Sequence, residues 1–244
     1  MLRSSAYGWL MLAGVVVSFE LLRRLSKRDA AIIPIYFGGL GGAFLGAKFV
    51  YLAAEGWMHW HDADRWWQFA AGKSIVGALL GGYAGVEIVK ARLGYRRITG
   101  DWFAVMVPIP IILGRVGCTF QGCCPGRACE PAWYTMADAA GIARWPTAPV
   151  ELVFNALMLG IVLVLRHRQT LVGQHFHVYL MAYGLFRFAH EFVRDTPKLA
   201  GSISGYQIAA LGVALLGGIQ FARRRRQPAR SAWRLVGKLP TETG

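Results

Sequence analysis

Long apolar runs separated by short polar stretches fill most of the chain. A bilayer core takes about 20 apolar residues per spanning helix. Windows of that kind fall at 7–22, 30–54, 73–89, 101–118, 149–165, 176–192 and 203–221. The pattern predicts an all-α membrane protein with about seven transmembrane helices. Two spans are dense in small residues, at Gly38-Gly39-Leu40-Gly41-Gly42 and Gly77-Ala78-Leu79-Leu80-Gly81-Gly82. Such runs weaken a helix in water, but in lipid they let helices approach closely, so they read as packing surfaces.

Composition supports this solvent. Of 244 residues, 55% are hydrophobic and only 16% charged, against roughly 25% charged in soluble domains. The aromatic content, 13%, excludes a disordered chain. The net charge of +14 raises the question of nucleic acid, which the placement of the charges answers. Seventeen of the 27 Lys and Arg residues follow the first, third, fifth and seventh spans. Positive residues mark cytoplasmic loops, so the N-terminus lies outside and the C-terminus in the cytoplasm, as an odd number of spans requires. Only Arg3 precedes the first span and the basic cluster follows it, which makes it a retained helix rather than a cleaved signal. The chain divides into a membrane domain, 1–222, and a basic cytoplasmic tail, 223–244, suited to anionic lipid. No nucleotide-binding loop or nucleic-acid motif is present, so nucleic acid is not an expected partner, and no cofactor is called for.

Two outward segments stand apart. Segment 55–72 carries Trp57, Trp60, Trp66 and Trp67 and suits a short helix at headgroup level. Segment 118–148 holds all four cysteines, at Cys118, Cys123, Cys124 and Cys129. In an oxidising compartment this cluster points to two disulfides stapling the loop. The alternatives are a metal site, against which the spacing argues, and a reactive Cys118, activated by its cationic neighbour Arg115.

Charges inside spans are costly and usually face a polar cavity. Arg187, Glu191 and Arg194, at i, i+4 and i+7, share one helix face, with Arg194 near the outer boundary where its side chain can reach water. Arg115 ends the fourth span, which Pro108 and Pro110 interrupt, and a Gly-rich turn follows. Such a turn can aim backbone N–H groups at an anion. A phosphate held between Arg115 and Arg187 is the simplest reason to bury both.

In these motifs the sequence resembles the bacterial prolipoprotein diacylglyceryl transferases. It matches their signature at Gly114, Arg115, Gly117, Gly122 and Gly126, and their other landmarks at Tyr7-Gly8, Asp101, Pro146-Thr147, Glu151 and Arg187-x-x-x-Glu191-x-x-Arg194. The resemblance implies seven spans in the bacterial inner membrane, with the active site toward the outer leaflet. It implies transfer of the diacylglyceryl group of phosphatidylglycerol, or a related phospholipid, to the lipobox cysteine thiol in the signal peptide of a prolipoprotein or related acceptor, releasing glycerol 1-phosphate. Arg115, Arg187 and Glu191 would then be catalytic, with Glu191 orienting Arg187. Tyr7, Gln121, Gly126, Glu151 and Arg194 would bind lipid or phosphate. The sequence departs from the family where Val76-Gly77-Ala78 replaces a His-Gly-Gly motif. Cys118, Gln121 and Cys123 stand for a signature Asn, Asn and Glu. His190 is a substitute base or merely faces a neighbouring helix or the headgroups. Two other functions fit these departures: a non-catalytic lipid-binding or lipoprotein-handling protein, and a membrane thiol oxidoreductase using the cysteines.

Overall fold

The computed structural model describes residues 2–225 apart from 28, 125 and 200, leaving out the side chains of residues 2–8, 10, 11 and 15. The described residues form helices α1 (Leu2–Ser26), α2 (Ile32–Ala54), α3 (Arg65–Ala71), α4 (Ile75–Arg92), α5 (Gly100–Met106), α6 (Pro108–Gln121), α7 (Thr147–His167), α8 (His175–His190) and α9 (Gly205–Arg225). A small antiparallel hairpin, β1 (Met136–Ala137) and β2 (Ala143–Arg144), lies between α6 and α7.

Four apolar segments are long enough to cross a membrane: α2, α7, α9 and the continuous segment Gly100–Gln121. The bent pair α3 and α4, at 59°, makes a fifth. The protein is therefore an all-α membrane protein. The other two expected spans correspond to α1 and α8. At 16 residues, α8 is about 24 Å long, short of a bilayer core of about 30 Å. The expected interruption at Pro108 and Pro110 is mild. Pro108 opens α6 directly after Val107, at a first-turn position where a helix needs no N–H.

Connections alternate between two ends. At one, Tyr95 Oη and Arg97 Nη1 donate to Asp29 Oδ2 at 3.0 and 3.1 Å, and the Gly173 N–H donates to Asp101 at 2.7 Å. At the other, Tyr206 Oη donates to Glu55 at 2.6 Å, tying the start of α9 to the end of α2. The Trp-bearing segment lies at this second end. Lys48, from within α2, donates to the carbonyls of Phe69, Ala70 and Gly72 at 2.6, 2.5 and 2.9 Å, satisfying the last turn of α3. Trp66 and Trp67 stay exposed.

Most of the glycines expected to pack do so, while Gly41 faces open space. A Cβ on Gly42 would lie 2.2 Å from the Gly81 carbonyl oxygen, and one on Gly46 would lie 2.3 Å from that of Gly77. The backbones of α2 and α4 thus touch along an antiparallel stripe that any side chain would force apart. At the centre sits α8, whose Tyr179, Leu180 and Tyr183 are fully buried against Met158 and Val162 of α7 and Ala210 and Val213 of α9. A largely apolar cavity of about 440 Å³ runs among α1, α2, α4, α5, α6 and α8, with Glu87, His177 and Arg224 at its polar end.

Candidate active site

The end of α6 sets the site's first element. Gly122 caps the helix in the left-handed conformation, φ 67°, which a side chain would resist. Cys124 follows at φ 60° and turns the chain across the end of the bundle. The Gly126 N–H donates to Trp145 O at 3.1 Å and the Arg127 N–H to Val193 O at 2.9 Å, so the loop docks on the chain leaving α8. The hydroxyl of Thr147 donates to the Cys124 carbonyl. Arg144 pairs with Asp138 at 2.7 Å and Asp195 at 3.0 Å. Its guanidinium and two backbone N–H groups hold the Asp138 carboxyl below the usual carboxylate range.

Under this loop lie two buried carboxylates, each tied to arginine. Glu151, fully buried near the start of α7, pairs with Arg115 at 2.8 Å and accepts from Tyr183 Oη at 2.7 Å. Glu191 pairs with Arg187 at 2.7 Å and approaches Arg194 Nε at 3.5 Å. It also accepts from Thr196 and Ser204 hydroxyls at 2.5 and 3.3 Å. The charges of Arg187 and Arg194 act on Glu151 as well as that of Arg115, so the two pairs form one cluster. Three guanidinium groups against two carboxylates leave one net positive charge in a water-poor place, where a phosphodiester monoanion would restore neutrality. Arg115 Nε, Arg194 Nη1 and the indole N–H of Trp145 are buried donors with no hydrogen-bond partner among the described residues. Buried donors are rarely left unpaired, and these three suit the oxygens of an anion.

Several expected roles change. Arg194 is less solvated than expected: its side chain is only 14% exposed, with Nε and Nη1 buried, because Gly126 bridges its backbone and the loop covers it. Gly126 offers no N–H to an anion, since Trp145 takes it. A Cβ there would lie 2.6 Å from Trp145 O and 2.9 Å from Val193 O, so its glycine serves close backbone approach. Glu151 holds Arg115 by a direct ion pair. Gln121 is exposed at the end of α6, and the side chain of Tyr7 lies outside the described residues. His190 is buried and stacked on Phe186 at 5.0 Å between ring centroids, with neither ring nitrogen hydrogen-bonded among the described residues.

The disulfides expected from the sequence are not formed, and all four cysteines are free. The Cys118, Cys123 and Cys124 sulfurs gather within 4.8 Å of one another. Cys129 stands apart, its thiol toward Ala143 O at 3.9 Å, because the strand pairing of its segment carries it to the hairpin.

The sequence reading missed the polar ladder beneath the carboxylates. Asn155 donates to Glu151 O at 2.8 Å and accepts from Tyr179 Oη at 2.8 Å. An Asn four residues after a Glu inside an apolar span was the available signal. Lys198 was also missed. Its ammonium donates to the Glu191 carbonyl at 3.0 Å, and burial holds its pKa below the usual value.

The family model for prolipoprotein diacylglyceryl transferase matches residues 2–223. Among similar proteins, a phosphatidylglycerol–prolipoprotein diacylglyceryl transferase of Geobacter sulfurreducens is 26% identical, covering 86% of this chain and 87% of its own. One of Mannheimia succiniciproducens is 27% identical, covering 92% and 91%. One of Chromohalobacter salexigens is 28% identical, covering 93% and 90%.

Proposed function

Because the chain belongs to the prolipoprotein diacylglyceryl transferase family, and is thus a transferase, we propose that it moves the diacylglyceryl group of phosphatidylglycerol onto a prolipoprotein cysteine. The observation that carries this reading is the cluster of Arg115, Arg187 and Arg194 around Glu151 and Glu191, with its surplus positive charge and unpartnered donors. In this reading the phosphodiester of the lipid sits against Arg115 and Arg194, while Glu191 fixes Arg187 beside them. The acceptor's thiolate attacks the glyceryl carbon next to the phosphate. The C–S bond forms as the C–O bond breaks, and the electron pair leaves on the phosphate oxygen of glycerol 1-phosphate. The charge gathering on that oxygen meets fixed guanidinium groups shielded from water, where such help is strongest. The apolar cavity beside α2 and α4 takes an acyl chain.

In this reading α1 and α8 complete the five apolar segments to seven spans, the basic residues after the odd-numbered spans favour an outside N-terminus, and the cluster faces the outer leaflet of the bacterial inner membrane. The basic tail expected over 223–244 lies, beyond Arg225, outside the described residues. Expression in a bacterium depleted of its own transferase tests the reading. Lipoproteins carrying the diacylglyceryl thioether should reappear; lipoproteins that stay unmodified, with the protein present in the membrane, would overturn it.

A further inference from the structure

The three gathered thiols carry an inference that rests on the proposed transferase reading and extends it. Cys118 lies on the last turn of α6, and the left-handed Gly122 and Cys124 fold the chain back so that Cys123 and Cys124 meet it. The Cys123 and Cys124 sulfurs are 4.0 Å apart, and all three lie within 4.8 Å. Zinc–sulfur bonds of about 2.3 Å set tetrahedral thiolate sulfurs about 3.8 Å apart, so the trio needs only a small contraction to share one ion. Arg115 Nη1 lies 4.0 Å from the Cys118 sulfur, placing a cation beside the trio. Cys123 is exposed and the other two are partly so, with a cleft of about 30 Å³ beside them, leaving one side open. Among the described residues of the cluster, the other candidate bases are less accessible to an acceptor thiol. Both carboxylates are tied to arginines, and His190 is buried on Phe186.

We propose that Cys118, Cys123 and Cys124 hold a Zn²⁺ ion whose open fourth position binds the acceptor thiol as thiolate, next to the phosphate held by Arg115. Zinc-bound thiols lose their proton outright, and three protein ligands with one open position are the pattern of catalytic zinc. On binding, the acceptor sulfur displaces a water from the ion and its proton passes to solvent. The sulfur then attacks the glyceryl carbon, the C–O bond breaks with its electron pair going to the phosphate oxygen, and the thioether product leaves the ion for water. Two negative charges enter, one on the thiolate and one on the phosphodiester, and both leave on the phosphate monoester.

Cobalt titration of the metal-free, reduced protein in detergent tests this. About one Co²⁺ per chain should bind, with the thiolate charge-transfer and tetrahedral d–d bands of a sulfur site. Cys118→Ser and Cys124→Ser should weaken binding by more than the roughly 10–100-fold lost with an outer-shell contact, while Cys129→Ser leaves it unchanged. A signal-peptide segment with its cysteine should shift the d–d bands; the same peptide with serine should not. Absent stoichiometric cobalt in folded protein, binding indifferent to the three cysteines, bands unmoved by the cysteine peptide, or a disulfide within the trio of the isolated protein would each overturn the proposal. Lipid transfer at full rate by zinc-stripped protein would also overturn it while leaving the transferase reading intact. Peptide-sensitive cobalt in a protein that transfers no lipid would support the site and refute the transferase reading instead.

Discussion

Replacing Arg115 and Glu151 singly and together separates the electrostatic duty of this pair from its structural one. The nitrogen–oxygen distance is 2.8 Å, and the side chains are 9% and 0% exposed, so water screens the attraction little. At an effective dielectric near 20, two unit charges at that distance attract by about 6 kcal/mol, much of it offset by the desolvation both groups have undergone. Arg115→Gln leaves Glu151 buried with the charges of Arg187 and Arg194 still acting on it. Removing one partner of a buried pair costs about 3–5 kcal/mol. Arg115→Gln with Glu151→Gln removes both charges, keeps an amide able to accept from Tyr183, and should recover most of that loss. Transfer activity should follow a different order. Loss of one fixed donor to a developing oxyanion costs about 10²–10³ in rate, so the single and the double variant should both fall at least that far. Reversible unfolding in mixed micelles gives the stability, and initial rates of thioether formation give the activity. A double variant that regains stability without activity fits. Activity returning with stability would show that the pair only braces the bundle and would refute the assignment of Arg115 to the phosphate.

Three further outcomes follow from the geometry. Gly126→Ala, whose Cβ would meet Trp145 O and Val193 O below 3 Å, should undock the 122–146 loop at a cost of about 1–3 kcal/mol, seen as new proteolytic cleavage there. Gly42→Val, set against the Gly81 carbonyl at 2.2 Å, should separate α2 from α4 and lower the midpoint of detergent unfolding more than Gly41→Val, which has open space. Asp138 has a depressed carboxyl pKa through Arg144 and the Ile142 N–H. Its contribution is therefore present above the ordinary Asp value near 3.8 and is lost as pH falls through the lower folded value. Hydrogen exchange at the Cys129 and Trp145 amides, which bridge to Ala143 O and Arg127 O, should accelerate as pH drops below about 4 beyond the intrinsic trend. Unchanged protection would contradict the assignment.

The helices were legible because an apolar run in a membrane protein has one outcome: its backbone must satisfy itself. The glycine stripes were legible too, since closely spaced small residues on two spans had to meet something. Arg115 and Arg187 stood out as charges where lipid would penalise them. Their partners were harder to see. Glu191 sits four residues from Arg187 and could be paired by helical spacing, but Glu151 reaches Arg115 only because α6 and α7 pack together across 36 residues of sequence. Arg194 looked solvated because its burial comes from a loop whose docking depends on Gly126, a contact no local pattern encodes. The cysteines misled for a related reason. Their spacing suggested stapling, whereas the left-handed turn at Gly122 and Cys124 sets three sulfurs together and the hairpin carries Cys129 away.

The most direct test is incubation of the purified protein with labelled phosphatidylglycerol and a cysteine-containing prolipoprotein signal peptide, read by mass spectrometry. The account predicts the peptide diacylglyceryl thioether together with an equal amount of glycerol phosphate, both lost in Arg115→Gln. Neither product, under conditions where a relative such as the Geobacter sulfurreducens transferase works, would contradict it.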